Sequence, residues 1–310
     1  TPGINDDQLD SADFAATGEL AKCASKIVLK CLWVARLTRP DIYWTVNLLA
    51  KSVHQWSKAC DKRLLRLISY MHFTADMVLV AFVGDPIQDC VLVLFTDASF
   101  AGDLTDSKST TGGYLFLMGP NTCVPLGHCV KKQGAVSHSS TEAEIIALEA
   151  TVRMDGLPTL IFWEQILEIF TPEEELVKIH KNRQKKLQVH RERVMTPAER
   201  FAHDVDFVPC TLPMSSGLAK LYILEDNEPV IKMMIKQRWP TLRYVGRTQR
   251  IDLDWLCEGL SLDPGCFLRY IGTKDQIADI FTKGGFTVVQ FKHLVRSCML
   301  VDKAPRKQTF

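Results

Sequence analysis

The sequence predicts a mixed-sheet α/β protein preceded by a small all-helical segment. Apolar residues recur with a helical period from Glu19 to about Thr74, and from Met77 the period changes to that of strands. Beyond Met77 the elements follow in the order strand, strand, strand, helix, strand, helices, strand, helix, as in a mixed sheet covered by helices. With 310 residues and 46% hydrophobic content there is ample chain for a core, and collagen-like or wholly disordered classes are excluded. The balance of 37 basic against 36 acidic residues excludes a grip on nucleic acid by bulk positive charge, but not a local basic groove.

Residues 1–18 are polar and acidic and are expected to form a loose lead-in. In the helical segment, 19–76, Ile27, Cys31, Val34 and Ala35 share a first helix, which Pro40 interrupts because the residue before proline avoids helical angles. Ile42, Val46, Leu49 and Val53 restart the pattern, and Leu64, Leu67, Ile68 and Met71 mark a third helix. Strands are expected at Met77–Val83, Cys90–Phe95, Thr111–Met118 and Gly134–Ser139, then helices at Glu142–Met154 and Leu157–Phe170. A short strand at Leu221–Leu224, helices near Glu228–Gln237 and Ile251–Leu260, and a strand at Cys266–Ile271 follow. Helices at Lys274–Thr282 and Val288–Met299 complete the pattern, so the α/β domain is bounded at 77–285, with a helix and tail at 286–310. Residues 171–217 turn strongly basic between Lys178 and Arg193 and lack an apolar stripe, so they read as an insertion, partly helical or disordered.

The longest uncharged run, Ser109–Val130, contains several glycines and prolines and is expected to fold as hairpins, not to cross a membrane. The ten cysteines form no C-x-x-C pair and no zinc-type quartet. They read as buried reduced thiols, which together with the absence of a signal segment points to an intracellular protein, in a cytoplasmic particle or the nucleus. The chain starts at Thr1, as expected of a fragment or a processed product.

The chemistry lies in the acids at strand ends. Asp97 follows the apolar run Val91–Phe95, and Asp226 follows Leu221–Leu224. If the two strands are parallel neighbours, their carboxyl ends place both acids side by side, where open α/β sheets gather functional groups. Glu144 sits near the start of a helix that Thr141 could cap, and Asp279 lies in the first turns of a helix after another strand. Grouped acids repel, and a divalent cation with oxygen ligands, Mg²⁺ or Mn²⁺, resolves the repulsion. Two such ions about 3.5–4 Å apart can activate a water and stabilise a leaving phosphodiester oxygen.

Seven blocks occur in order: Phe95–Asp103, Ser107–Tyr114, Lys131-Lys132-Gln133, Ser139–Glu144, Glu225-Asp226-Asn227, Arg247–Asp252 and Thr273–Lys283. Together they resemble the ribonuclease H region of a copia-type LTR retrotransposon Pol polyprotein, and Leu32–Ile42 resembles the segment linking the polymerase thumb to it. The resemblance implies a ribonuclease H-like fold, with a mixed five-stranded sheet flanked by helices. It also implies Mg²⁺-dependent cleavage of the RNA strand of an RNA–DNA hybrid, and the remainder of a Pol polyprotein as partner. The family carboxylates carry over as Asp97, Glu144, Asp226 and Asp279, with Asp97 bridging two ions, Glu144 and Asp226 holding one, and Asp279 completing the other. Asp252 remains an alternative to Asp279 for the fourth position. Lys108, Lys131, Lys132 and Lys274 are the candidate phosphate contacts. The paired-aspartate motif Tyr-x-Asp-Asp is missing, so no DNA synthesis is expected. The family's Trp before Lys131 is replaced in Gly127–Val130, and a flexible-loop His has no counterpart near Gly272-Thr273. A catalytically decayed or domesticated module that binds nucleic acid or protein is the alternative reading.

Overall fold

Ala24, Val28, Cys31 and Ala35, spaced four, three and four apart, form the buried stripe of helix α1 (Ala24–Leu37). The computed structural model describes residues 1–102, 107–179, 181, 214–237, 251 and 253–303. After α1 the chain turns at Pro40–Ile42 into α2 (Tyr43–Lys51), and α3 (Lys58–Phe73) follows. The turn is held by a buried ion pair. Arg39 donates to both carboxylate oxygens of Asp41, at 2.9 and 2.8 Å, and to the Thr74 hydroxyl, while Tyr70 donates to Asp41 at 2.7 Å. Satisfying both ions in this way offsets the cost of taking them out of water.

The lead-in is not loose. It forms a short helix, Ser11–Ala15, and Lys62 and Arg63 of α3 pair with Asp13 and Asp6. The Lys58 amide donates to the Ala16 carbonyl at 2.9 Å, and Asp61 accepts the Glu19 amide at 2.6 Å. Acids that read as solvated in sequence here face the basic side of a helix.

The main sheet contains β2 (Val91–Ser99), β3 (Thr110–Gly119), β4 (Thr122–Lys132), β5 (Leu221–Glu225) and β6 (Cys266–Tyr270), in spatial order β4-β3-β2-β5-β6. The three sequential strands pair antiparallel, and β5 and β6 join parallel. This is the mixed five-stranded α/β fold the resemblance implied.

Three expectations are corrected. Residues 134–139 are not a strand; the third strand of the meander is β4, whose alternation is blurred by Pro125 and Gly127 at an irregularity that only an edge strand tolerates. Of the run 77–83, only β1 (Met77–Leu79) is a strand, and it pairs outside the main sheet with β7 (Leu300–Asp302). The helix expected at 274–282 is broken into a 3-10 turn, Thr273–Asp275, and the short α8 (Asp279–Thr282). Asp252, most of the Arg247–Asp252 block and most of the 171–217 insertion lie outside the described residues.

Because β2 is covered on both faces, its apolar run is continuous. Leu92 and Leu94 face α4 (Ser140–Thr151) and α5 (Leu157–Phe170), which are joined through a π turn at Val152–Gly156. Val93 and Phe95 face the other way, into one core shared with the N-terminal helices, α8 and α9 (Val288–Ser297). The remaining helices are α6 (Glu228–Lys236) and α7 (Leu253–Leu262). No helix among the described residues is long and apolar enough to cross a membrane, and the nine described cysteines are free thiols.

Gly112 of β3 lets α8 lie against the sheet: a Cβ there would stand 2.7 Å from Thr282 Cγ2 and 2.9 Å from Phe281 Cβ. Gly112→Ala is therefore expected to cost about 1–3 kcal/mol through overpacking. The readout is a lower urea midpoint at unchanged m-value; an unchanged midpoint would contradict this packing.

Candidate metal centre

Strand register builds the centre. Phe95 of β2 lies opposite Leu224 of the parallel strand β5. Two residues further on, Asp97 and Asp226 therefore reach the same face and the same end of the sheet. Glu144 comes from the first turns of α4. That helix is capped not by Thr141 but by Ser139, whose hydroxyl accepts the Glu142 amide at 3.1 Å, while Glu142 accepts the His138 amide at 2.8 Å. Glu142 is thus used in capping, and Glu144, two residues on, points to the strand ends. Ala98, Ala143 and Ala147 make the close contact that lets α4 approach β2.

One carboxylate oxygen each from Asp97, Glu144 and Asp226 lie within 4.8 Å of one another. Asp279, the first residue of α8, stands outside this trio but meets the Asp97 side chain directly and shares a lysine with it. Its Oδ1 accepts the Lys283 ammonium at 2.5 Å, and the same ammonium lies 3.6 Å from Asp97 Oδ1. Thr282 donates its hydroxyl to the other oxygen of Asp97. The Gln276 side-chain amide donates to the Thr96 carbonyl at 2.9 Å and holds the chain before α8 on the strand end.

The site is acidic and largely buried. Asp97 is only 1% exposed. Burial, then the charge of Asp279, pushes its carboxyl up to about 7, although Lys283 and Thr282 pull it down. Glu144 is pushed up to about 10 by burial and by Asp97, Glu225 and Asp226, against a hydrogen bond from the Ala98 amide. Burial also raises Asp279, opposed by Lys283. Burial works against the Lys283 ammonium, yet Asp97, Asp279 and Asp226 raise its pKa overall.

Sequence reasoning overlooked Glu225, Thr282 and Lys283. Glu225 is fully buried, accepts the Asn227 amide at 3.2 Å, and is raised well above the ordinary range by burial. Its signal was an acid closing an otherwise apolar strand. For Lys283 the signal was its spacing of four from Asp279. One buried oxygen each of Asp97, Glu144 and Glu225 has no hydrogen-bond partner among the described residues. Orphaned buried oxygens in an all-carboxylate set fit a hard divalent cation such as Mg²⁺ or Mn²⁺.

Lys131 and Lys132 lie opposite Thr111 and Thr110, at the end of the sheet that carries Asp97. Lys108 precedes β3 at that same end, and Lys274 sits in the turn after β6. Gln133 of the Lys-Lys-Gln block ties the hairpin to α4, its amide donating to the Ala143 carbonyl at 2.8 Å and to Thr111 at 3.2 Å.

No family model matches the chain. The retrovirus-related Pol polyprotein from transposon RE2 of Arabidopsis thaliana is 35% identical over 107 residues, which are 34% of this chain and 7% of that protein. The Pol polyprotein from transposon TNT 1-94 of Nicotiana tabacum is 32% identical over 135 residues, 43% of this chain and 10% of that protein. Secreted RxLR effector protein 161 of Plasmopara viticola is 33% identical over 125 residues, 39% of this chain and 80% of that protein. The chain thus spans about a tenth or less of the polyproteins it matches.

Buried acids with raised pKa values fix the pH dependence of the cation-free protein. Unfolded, Asp97 and Glu144 titrate near 3.8 and 4.5; folded, they titrate at about 7 and about 10. Between these values the folded form holds more protons, so their contribution is complete at low pH and is lost as pH rises through the folded values. His128, lowered from 6.5 by burial, acts in the opposite sense, but its effect is complete above that value. In a chelator, the melting temperature should therefore fall from about pH 7 to about pH 9. The fall should flatten in Glu144→Gln and on addition of Mg²⁺; a slope unaffected by either would contradict the assignment.

Proposed function

We propose that the chain derives from a transposon Pol polyprotein like those it is similar to, and that it is the ribonuclease H unit of such a polyprotein. In this reading it is an endonuclease that uses a divalent cation to cut the RNA strand of an RNA–DNA hybrid. The observation that carries the proposal is the convergence of Asp97, Glu144 and Asp226 at the open end of a mixed five-stranded sheet. Asp97, Glu144 and Asp226 would hold the cation. When bound, a divalent cation neutralises charge on the scissile phosphate and makes a water a better nucleophile.

The chain's own residues do the rest. Thr282 and Lys283 fix the Asp97 carboxylate from behind. Lys131 and Lys132 on one side, with Lys108 near them and Lys274 on the other, would meet the phosphate backbones that flank the cut. Recognition would rest on those backbones and on the RNA 2′-hydroxyls, with little reading of bases. The helical segment 19–76 then corresponds to a thumb or connection region, and the partners are the hybrid and the rest of the polyprotein. Such a unit would work inside the cell, in a cytoplasmic particle or the nucleus.

The test is cleavage of a labelled RNA–DNA hybrid by the full chain with Mg²⁺. Asp97→Asn is expected to lower the rate by more than about 100-fold with the thermal transition retained. Binding of hybrid without cleavage by the wild type would favour the decayed module instead. Comparing Asp279→Asn with Asp252→Asn decides the fourth acid: full activity in the first and loss in the second would reject Asp279.

A further inference from the structure

Lys283 holds a position that its charge alone does not explain. Its ammonium stands between Asp279, at 2.5 Å, and Asp97, at 3.6 Å. These are the two acids that would have to share any second cation. It is also the cationic group that balances Asp97 and Asp279 together. The backbone beyond it is fixed: Gly284 packs so closely on the Trp44 ring of α2 that no Cβ could be accommodated there. On the other side, Thr282 is bonded to Asp97 and α8 rests on Gly112. The lysine is therefore anchored at both ends of its own backbone, and it closes an i,i+4 pair with Asp279. A merely solvated lysine would need none of this.

We propose that Lys283 supplies the second positive charge of this centre, so that the protein takes one divalent cation, on Asp97, Glu144 and Asp226, and keeps an ammonium between Asp97 and Asp279. Lys283 is then a positioning residue: it sets Asp97 toward the cation and holds Asp279 away from it. The inference rests on the reading of the carboxylates as a cation site and replaces the second ion of that reading with a side chain. Its requirement is geometric. The side chain itself is 41% exposed, so the clamped backbone fixes where the amine starts and its pairing with Asp279 and Asp97 fixes where it ends.

The experiment counts ions directly. Mn²⁺ is titrated into the full chain, and the free ion is followed by its electron paramagnetic resonance signal, with Asp97→Asn as the reference for adventitious sites. The wild type should bind one ion, and Lys283→Arg, which keeps the charge, should bind one as well. Lys283→Met should bind a second, which adding Asp279→Asn should remove. A variant that does not need Lys283 removed provides an independent arm: Asp279→Asn alone should keep one ion. Two ions in the wild type, falling to one in Asp279→Asn, would overturn the inference while leaving the nuclease reading intact. One ion in a folded Lys283→Met would overturn it too. No bound ion at millimolar Mn²⁺ would overturn both.

Discussion

Mutual repulsion among buried acids at one end of the sheet is the constraint on which the rest of the structure turns. Two like charges within 4.8 Å repel by about 3–4 kcal/mol at an effective dielectric of about 20, and Asp97, Glu144 and Asp226 present three such pairs. Among the described residues, one ammonium, that of Lys283, faces Asp97 and Asp279 directly, and one hydroxyl, that of Thr282, meets Asp97. These do not balance three repulsive pairs, so the centre must take up protons or a cation. The raised pKa values of Asp97 and Glu144 are the proton solution. A divalent ion is the other, and the orphaned oxygens are where it would be held.

The scaffold around this constraint includes the helical segment as much as the sheet. The His128 ring of β4 stacks on Phe281 of α8, with centroids 5.4 Å apart, and Tyr43 of α2 and Tyr114 of β3 meet it edge-on. The Tyr114 hydroxyl donates to the Cys298 carbonyl at 3.1 Å and ties the end of α9 to the same cluster. His128 also contacts the Ala35 carbonyl of α1 at 2.9 Å. Phe281 is followed directly by Thr282 and Lys283, so packing on its ring sets the two residues that meet Asp97. Trp44 of α2 packs on Gly284, directly after Lys283.

Much of this was legible in the sequence where one rule dominated. The helical segment was readable because proline and a 3.6-residue period both spoke for it, and β2 and β5 because apolar runs ended in acids. Asp97 and Asp226 could be placed together because a parallel pair fixes register, and Glu144 joined them through the resemblance. Elsewhere, tertiary context won. β4 was obscured because an edge strand tolerates Pro125 and Gly127, which blur its alternation. The lead-in looked solvated because its partners, Lys62 and Arg63, lie some fifty residues on. The break before α8 was hidden because the buried Gln276, bonded to the Thr96 carbonyl, is what stops the helix there. Lys283 was passed over because a lysine after a helix ordinarily reads as surface, and only the fold brings Asp97 within its reach.

The central claim is that these acids form a cation centre whose second charge is a lysine. Anomalous diffraction from crystals soaked in Mn²⁺ tests it most directly. The account predicts a single peak bounded by Asp97, Glu144 and Asp226, with the Lys283 ammonium still on Asp279. A second peak between Asp97 and Asp279 with Lys283 turned away, or no peak at the acids at all, would contradict it.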